Sequence, residues 1–279
     1  MYKIISKRVL APNVNEYTIE APMVARNARP GQFIILRVDE EGERVPFTIC
    51  DMDKEKGTIT ILVQTVGSTT YKLSLLGAGD AIADFVGPLG NATDLSEYND
   101  IILVAGGIGS AVVYPQAKYL ASIGKKATVI LGARNEGLLM YVDEYKKCGV
   151  DLCIMTDDGS CGEKGFVTQK LQAILQEKKC DVVMAVGPLM MMKAVCDVTR
   201  PFEVPTVVSL NSVMVDGTGM CGCCRVTVGG ETKYACVDGP EFDGHKVDFA
   251  EAAARSAFYK EKEQAHYCNL RGKIEGGKQ

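Results

Sequence analysis

From Tyr2 to about residue 97, apolar and polar positions alternate in short runs. YKIISKRVL, EYTIEA, QFIILRV, FTICDMD and TITILVQTV are rich in Ile, Val and Thr, and Pro, Gly, Asn or Asp separates them. Alternation with a period of two marks strands with one buried face, and β-branched side chains suit a pleated surface. A weaker run of the same kind covers residues 80–86 and ends in Gly87-Pro88-Leu89-Gly90-Asn91. One short helix is expected over residues 70–76. Many short strands with turn residues between them predict a small antiparallel β-barrel.

The pattern changes near Tyr98. IILVAGGIG (101–109), ATVILGAR (127–134), VDLCIMTDD (150–158), DVVMAVGP (181–188) and PTVVSL (205–210) are continuous apolar strands. Between them, residues 110–122, 138–147, 167–177 and 189–199 have helical spacing. Strands buried on both faces, alternating with helices, predict a five-stranded parallel sheet of an α/β domain. From Asn211 the chain turns Gly- and Cys-rich. RVTVGGETKYACV reads as a hairpin turning at Gly229-Gly230, and residues 246–263 read as a charged helix. The tail RGKIEGGKQ is expected to fray. The expected domains are therefore 1–97, 98–210 and 211–279.

Composition narrows the function classes. Lys plus Arg number 31 against 35 Asp plus Glu, a net charge of −4. General nucleic-acid binding needs clustered cations and is not expected. The two histidines, His245 and His266, are too few for a multi-histidine metal centre and carry no assigned role. No run approaches the roughly 20 apolar residues that span a bilayer, and the N-terminus lacks a signal-peptide pattern. A cytoplasmic, non-membrane protein is expected. Its eleven cysteines are then thiols or metal ligands rather than disulfides. Six are scattered, mostly in apolar runs, and Cys268 lies near the tail, but Cys221, Cys223, Cys224 and Cys236 crowd together.

That crowd carries the strongest signal. Asp216, Cys221 and Cys224 stand in the C-x4-C-x2-C spacing of a plant-type two-iron cluster, with Asp in place of the first Cys and Cys236 as the downstream ligand. Cys223 is out of register. Three Cys and one Asp also suit structural zinc, and free thiols are a further reading. In Arg44-Val45-Pro46-Phe47-Thr48, an Arg fork suits a phosphate and the Thr48 hydroxyl suits a flavin ring edge; an ordinary edge strand would look similar. Gly67, Thr69 and Thr70 open the short helix, where a diphosphate or a simple N-cap fits. Gly106, Gly107 and Gly109 follow a buried strand and open a helix, and Gly187 follows the fourth strand. Glycines there admit a diphosphate to the helix N-terminus, or merely allow close packing.

In this order the motifs resemble the ferredoxin–NADP reductase superfamily, over residues 1 to about 260. Within it the chain is similar to members that end in an iron–sulfur segment, such as electron-transfer subunits of dihydroorotate dehydrogenase. Asp216, where those subunits have Cys, makes it resemble the small subunits of NADH-dependent ferredoxin:NADP+ oxidoreductases, which are electron-bifurcating complexes. The resemblance implies FAD at Arg44, Pro46, Phe47 and Thr48, with Gly67, Thr69 and Thr70 near its diphosphate. It implies NAD(H) at Gly106, Gly107, Gly109 and Gly187, and a [2Fe-2S] cluster on Asp216, Cys221, Cys224 and Cys236. It also implies a large partner subunit with flavin and [4Fe-4S] clusters that handles ferredoxin and NADP(H). The other readings are the dihydroorotate dehydrogenase subunit and a zinc-stabilised binding module.

Overall fold

The computed structural model describes residues 1–276. The first sheet is built from β1 (Tyr2–Ala11), β2 (Val14–Glu20), β3 (Phe33–Arg37), β4 (Val45–Asp53), β5 (Thr58–Gln64), β6 (Ala81–Ile82) and β7 (Asp84–Leu89), with helix α1 (Pro22–Asn27) before β3 and α2 (Ser68–Leu75) before β6. Its order is β6-β1-β2-β5-β4-β3-β7 and its pairings are antiparallel. Alternate residues of these strands fill one interior: Ile4, Tyr17, Ile19, Ile34, Leu36, Ile49, Ile59 and Ile61 are fully enclosed. Helix α1 is absent from the strand pattern. Pro22 starts it with a φ already suited to the first turn, and Val24 and Ala25 bury its inner side.

The second sheet holds β8 (Ile101–Gly106), β9 (Ala127–Ala133), β10 (Asp151–Thr156), β11 (Glu163–Lys164), β12 (Val182–Val186) and β13 (Thr206–Ser209). The crossovers are α3 (Gly109–Ser122), α4 (Val142–Cys148), α5 (Val167–Glu177) and α6 (Leu189–Thr199). Beyond β13 lie the hairpin β14 (Arg225–Val228) and β15 (Glu231–Tyr234), then β16 (Glu241–Asp243), α7 (Phe249–Ala257) and α8 (Lys260–Gly276). Sheet order is β11-β10-β9-β8-β12-β13-β16. The five expected strands are its parallel centre, and β16 adds an antiparallel edge from the cysteine-bearing segment. One face packs on α3 and α4. The other packs on α5 and α6 together with Cys224, Cys236 and the barrel residues Phe33 and Ile35. Barrel, sheet and cysteine segment therefore share one core.

Two helices differ from expectation. The one expected over 138–147 begins only at Val142, because Tyr141 adopts a left-handed φ of 65°. Its ring is buried against Tyr114 and its hydroxyl donates to Glu16 in β2 at 2.6 Å. Tertiary packing thus offsets a local cost of about 1–2 kcal/mol. The helix expected over 246–263 is two helices. Val247 is held in a bridge to Val228, so α7 starts after Asp248, whose carboxylate caps Glu251 N at 2.9 Å. Phe258 and Tyr259, stacked edge to face, occupy the break before α8. The tail expected to fray is helical through Gly276, and 277–279 lie outside the described residues. No helix among the described residues is long and apolar enough to cross a membrane.

Candidate cofactor sites

The cysteine loop, residues 211–224, is shaped by glycines. Gly217 has φ +78°, and a Cβ there would lie 2.5 Å from Ile35 Cδ1, so the loop lies flat on the barrel. Asp216 Oδ2 accepts from Thr218 Oγ1 at 2.6 Å, Met220 N at 3.2 Å and Thr218 N at 3.3 Å. Its Oδ1 faces Cys221, whose amide lies at 3.4 Å. Bonds from Cys221 and then Thr218 hold this carboxyl well below the usual carboxylate range, so it is an anion.

Cys224 and Cys236 are buried with their sulfurs 3.2 Å apart, and Cys236 N donates to Cys224 Sγ at 3.4 Å. Burial, and then the Cys224 contact, push the Cys236 thiol up. Ligation by a cation reverses that cost, because a coordinating thiol is deprotonated outright. Two sulfurs on one tetrahedral metal, each about 2.3 Å away, stand about 3.8 Å apart. The buried pair would open by about half an ångström to take a metal. The four expected ligands thus form an outer pair, half-buried Asp216 and exposed Cys221, and a buried pair, Cys224 and Cys236. Among the described residues, no three His, Cys, Asp or Glu gather tightly enough to hold a single ion. A two-iron cluster takes four such ligands, two on each iron.

Pro46, Phe47 and Thr48 lie in β4, each half-buried, in register with Ile35, Ile34 and Phe33 of β3. Arg44 precedes them and its Nε donates to Val215 O at 3.1 Å. This ties the barrel's Arg to the residue before Asp216. At the start of α2 the Thr70 hydroxyl accepts from Gly67 N at 2.9 Å and Val66 N at 3.0 Å and donates to Gly67 O. It is therefore committed to shaping the turn. Thr69 is buried, and open space lies beside Gly67. The unused group there is the Ser68 hydroxyl, enclosed without a partner.

The glycines after β8 divide by role. A Cβ on Gly109 would lie 2.2 Å from Val186 O, and one on Gly106 would lie 2.4 Å from Met191 Sδ. Gly187 meets the same Met191 and the Cα of Gly106. These three let two strand ends and two helix starts close together. Gly107 differs: its φ is +56° and nothing lies within 4 Å of its would-be side chain. It faces open space at the carboxyl edge of the sheet, where ligands of such folds bind. Ser110 adds a buried hydroxyl with no partner, while Tyr145 Oη donates to its carbonyl at 2.5 Å. Ser68 and Ser110 are the polar groups missed among the sequence candidates. Both follow a glycine at a helix start, and that position was their signal. At the same edge, Asp157 N and Asp158 N pair with Ala133 O and Arg134 O, which sets these acids beside Arg134.

Neither histidine joins these sites. His245 Nε2 lies 2.9 Å from Thr199 Oγ1, and His266 faces Glu43 across 3.6 Å on the surface.

A barrel, a parallel sheet with a glycine turn at its carboxyl edge, and a loop that pairs the candidate metal ligands define a ferredoxin reductase-like protein with an iron–sulfur segment. Comparison with known proteins agrees. Residues 211–248 match the family model of the iron–sulfur cluster binding domain of dihydroorotate dehydrogenase B. A Thermotoga maritima homolog of the dihydroorotate dehydrogenase B (NAD(+)) electron transfer subunit is 48% identical over 265 residues, covering 95% of this chain and 94% of that protein. The subunit itself from Desulforamulus reducens is 32% identical over 253 residues, 88% of this chain and 96% of the other. A solved structure of an NADH-dependent reduced ferredoxin-NADP oxidoreductase, reported for its insights into flavin-based electron bifurcation, is 46% identical with a TM-score of 0.91, covering 97% of this chain and 98% of that one. Phthalate dioxygenase reductase, at 19% identity, a TM-score of 0.60 and 81% and 85% coverage, shares the fold. The chain belongs to the family of dihydroorotate dehydrogenase B electron-transfer subunits and their homologues.

Proposed function

We propose that this chain is the electron-transfer subunit of an oxidoreductase complex that exchanges hydride with NAD(H) and relays single electrons to a larger catalytic subunit. The observation that carries the reading is the two-and-two arrangement of Asp216 with Cys221 and Cys224 with Cys236. Within the family, the 46% identity across nearly the full chain to the ferredoxin-NADP oxidoreductase structure supports the electron-bifurcating enzyme. Named dihydroorotate dehydrogenase subunits stand at 32–35%. Asp216 in the first ligand position points the same way. The partner would be the large subunit that carries flavin and [4Fe-4S] clusters and handles ferredoxin and NADP(H), in the cytoplasm.

A flavin accepts a hydride and gives up its electrons singly, which neither a nicotinamide nor an iron–sulfur cluster does alone. The barrel, 1–97, would hold FAD, with Arg44 supplying a cationic fork and Pro46, Phe47 and Thr48 the surface under the ring. Gly67, Ser68 and Thr69 would receive its diphosphate, and Thr70 fixes that turn. The second domain, 98–210, would hold NAD(H) at Gly107 and Ser110. Gly106, Gly109 and Gly187 bring the strand ends close enough to shape the cleft. Segment 211–279 would hold the cluster, with Arg44 joining it to the barrel. NAD(H) rather than NADP(H) at this site rests on the resemblance to NADH-dependent relatives, because Arg134 beside Asp157 and Asp158 offsets their charge.

The test is anaerobic purification with co-purifying partners, followed by metal analysis, a visible spectrum and turnover. One FAD and a two-iron cluster per chain, with reduction of NADP+ by NADH and reduced ferredoxin together in the complex, support the reading. Zinc without flavin would overturn it, and dihydroorotate oxidation by the co-purified complex would move the chain to the pyrimidine enzyme.

A further inference from the structure

Glu241 opens β16 and pairs with Ser209 at the carboxyl end of β13. Its stem is half-buried, yet both carboxyl oxygens are enclosed and, among the described residues, neither has a hydrogen-bond partner. The carboxyl lies against the backbone of the barrel: a Cβ on Gly31 would stand 3.1 Å from Oε2, with Thr93 N equally near that point. Thr93 N is already committed to Pro30 O. A carboxyl buried without partners is costly to retain, and nothing in the cofactor sites uses it.

Its position joins it to the relay. The stretch from Cys236 to Glu241 is bonded to the barrel's exit loop, through Asn91 N to Gly239 O and Asn91 Nδ2 to Val237 O. Pro240 O accepts from Leu210 N, where the strand that leads to Asp216 ends. Glu241 thus sits at the root of both ligand-bearing stretches. Charged groups on the packed segments are otherwise engaged. Asp94 and Arg29 attract each other, Asp238 accepts from Tyr234 N, and Asp243 pairs with Lys246. None offers Glu241 a counter-charge, and burial alone pushes its pKa up to about 8.

We propose that Glu241 is the proton-accepting group of the electron relay, a role that rests on the cluster reading above. Where Glu241 is ionised in the oxidised protein, entry of one electron into the cluster would draw one proton onto its carboxylate, and departure of that electron to the partner subunit would release the proton. Charge added to a low-dielectric interior would then be compensated at the same step, by one proton per electron in that pH range.

The test is a redox titration of the intact complex, followed through the cluster's own electron paramagnetic resonance signal. The presence of that signal decides the cluster reading independently of Glu241. In the wild type the midpoint potential should stay level below about pH 8 and fall with rising pH above it. In Glu241→Gln it should stay level across the same range. Equal profiles in the two proteins would overturn the proposal. Infrared difference spectra of the wild type above that pH give a second readout that needs no variant. A carboxylic-acid band should rise on reduction, and its absence would also overturn the proposal.

Discussion

Single residues in the three sites separate into those that shape and those that touch. Gly107→Ala puts a methyl into open space at a left-handed φ, costing about 1–2 kcal/mol, and lies where the dinucleotide backbone would pass. The expected outcome is a higher KM for NADH with a modest loss of stability. Gly109→Ala drives a methyl to 2.2 Å from Val186 O, so the strand and helix must part. It should lower thermal stability far more, read by calorimetry. Asp216→Cys keeps the charge of the ligand set but trades a hard oxygen for a soft sulfur. It also discards the bonds from Thr218 and Met220. The cluster should still assemble, with a changed potential; an unchanged potential would mean that the carboxylate tunes nothing. The candidate ligands could be picked out because their spacing is local. The pairing of its members was not, since Cys224 meets Cys236 only through the β14–β15 hairpin.

At the scale of elements, the strands were readable wherever burial followed a simple period, and misread where tertiary contacts overrode it. Helix α4 is short because Tyr141 is pulled toward Glu16, a contact across 125 positions in the chain. β16 was invisible for the opposite reason: a three-residue strand bearing Glu and Asp has no pattern of its own. Helix α8 buries no residue, and its attachment rests on contacts such as Tyr267 against Tyr71 in α2. Tyr267→Ala should cost about 0.5–1.5 kcal/mol, measured by denaturant unfolding, and leave the iron content unchanged. His245 fastens the turn after β16 to α6 through Thr199. Burial first, then the Arg200 charge, lowers its pKa from 6.5. The unfolded chain therefore takes up this proton at higher pH than the native one. Its stability contribution is present above about 6.5 and is lost as pH falls through the lowered native value. The wild type should lose stability over that window relative to His245→Gln, read by denaturant unfolding at each pH.

Across the whole molecule, barrel and sheet are clamped by charge as well as by the shared core. Arg8 spans Glu16 in the barrel and Glu144 in α4 at 2.9 and 2.8 Å, and Lys118 in α3 reaches Asp51 in β4 at 2.7 Å. These half-exposed pairs are each worth about 0–1 kcal/mol and act mainly to fix orientation. If Cys236 is a cluster ligand, β16 would tie metal supply to the soundness of the chain. The stretch that supplies Cys236 also covers the open side of β13, and an uncovered strand edge is a template for pairing with other chains. Cluster removal by a chelator should expose a cleavage point near Leu210 in limited proteolysis, and chains so treated should precipitate. A molecule that never received its iron would thus mark itself for disposal, and only correctly furnished copies would persist.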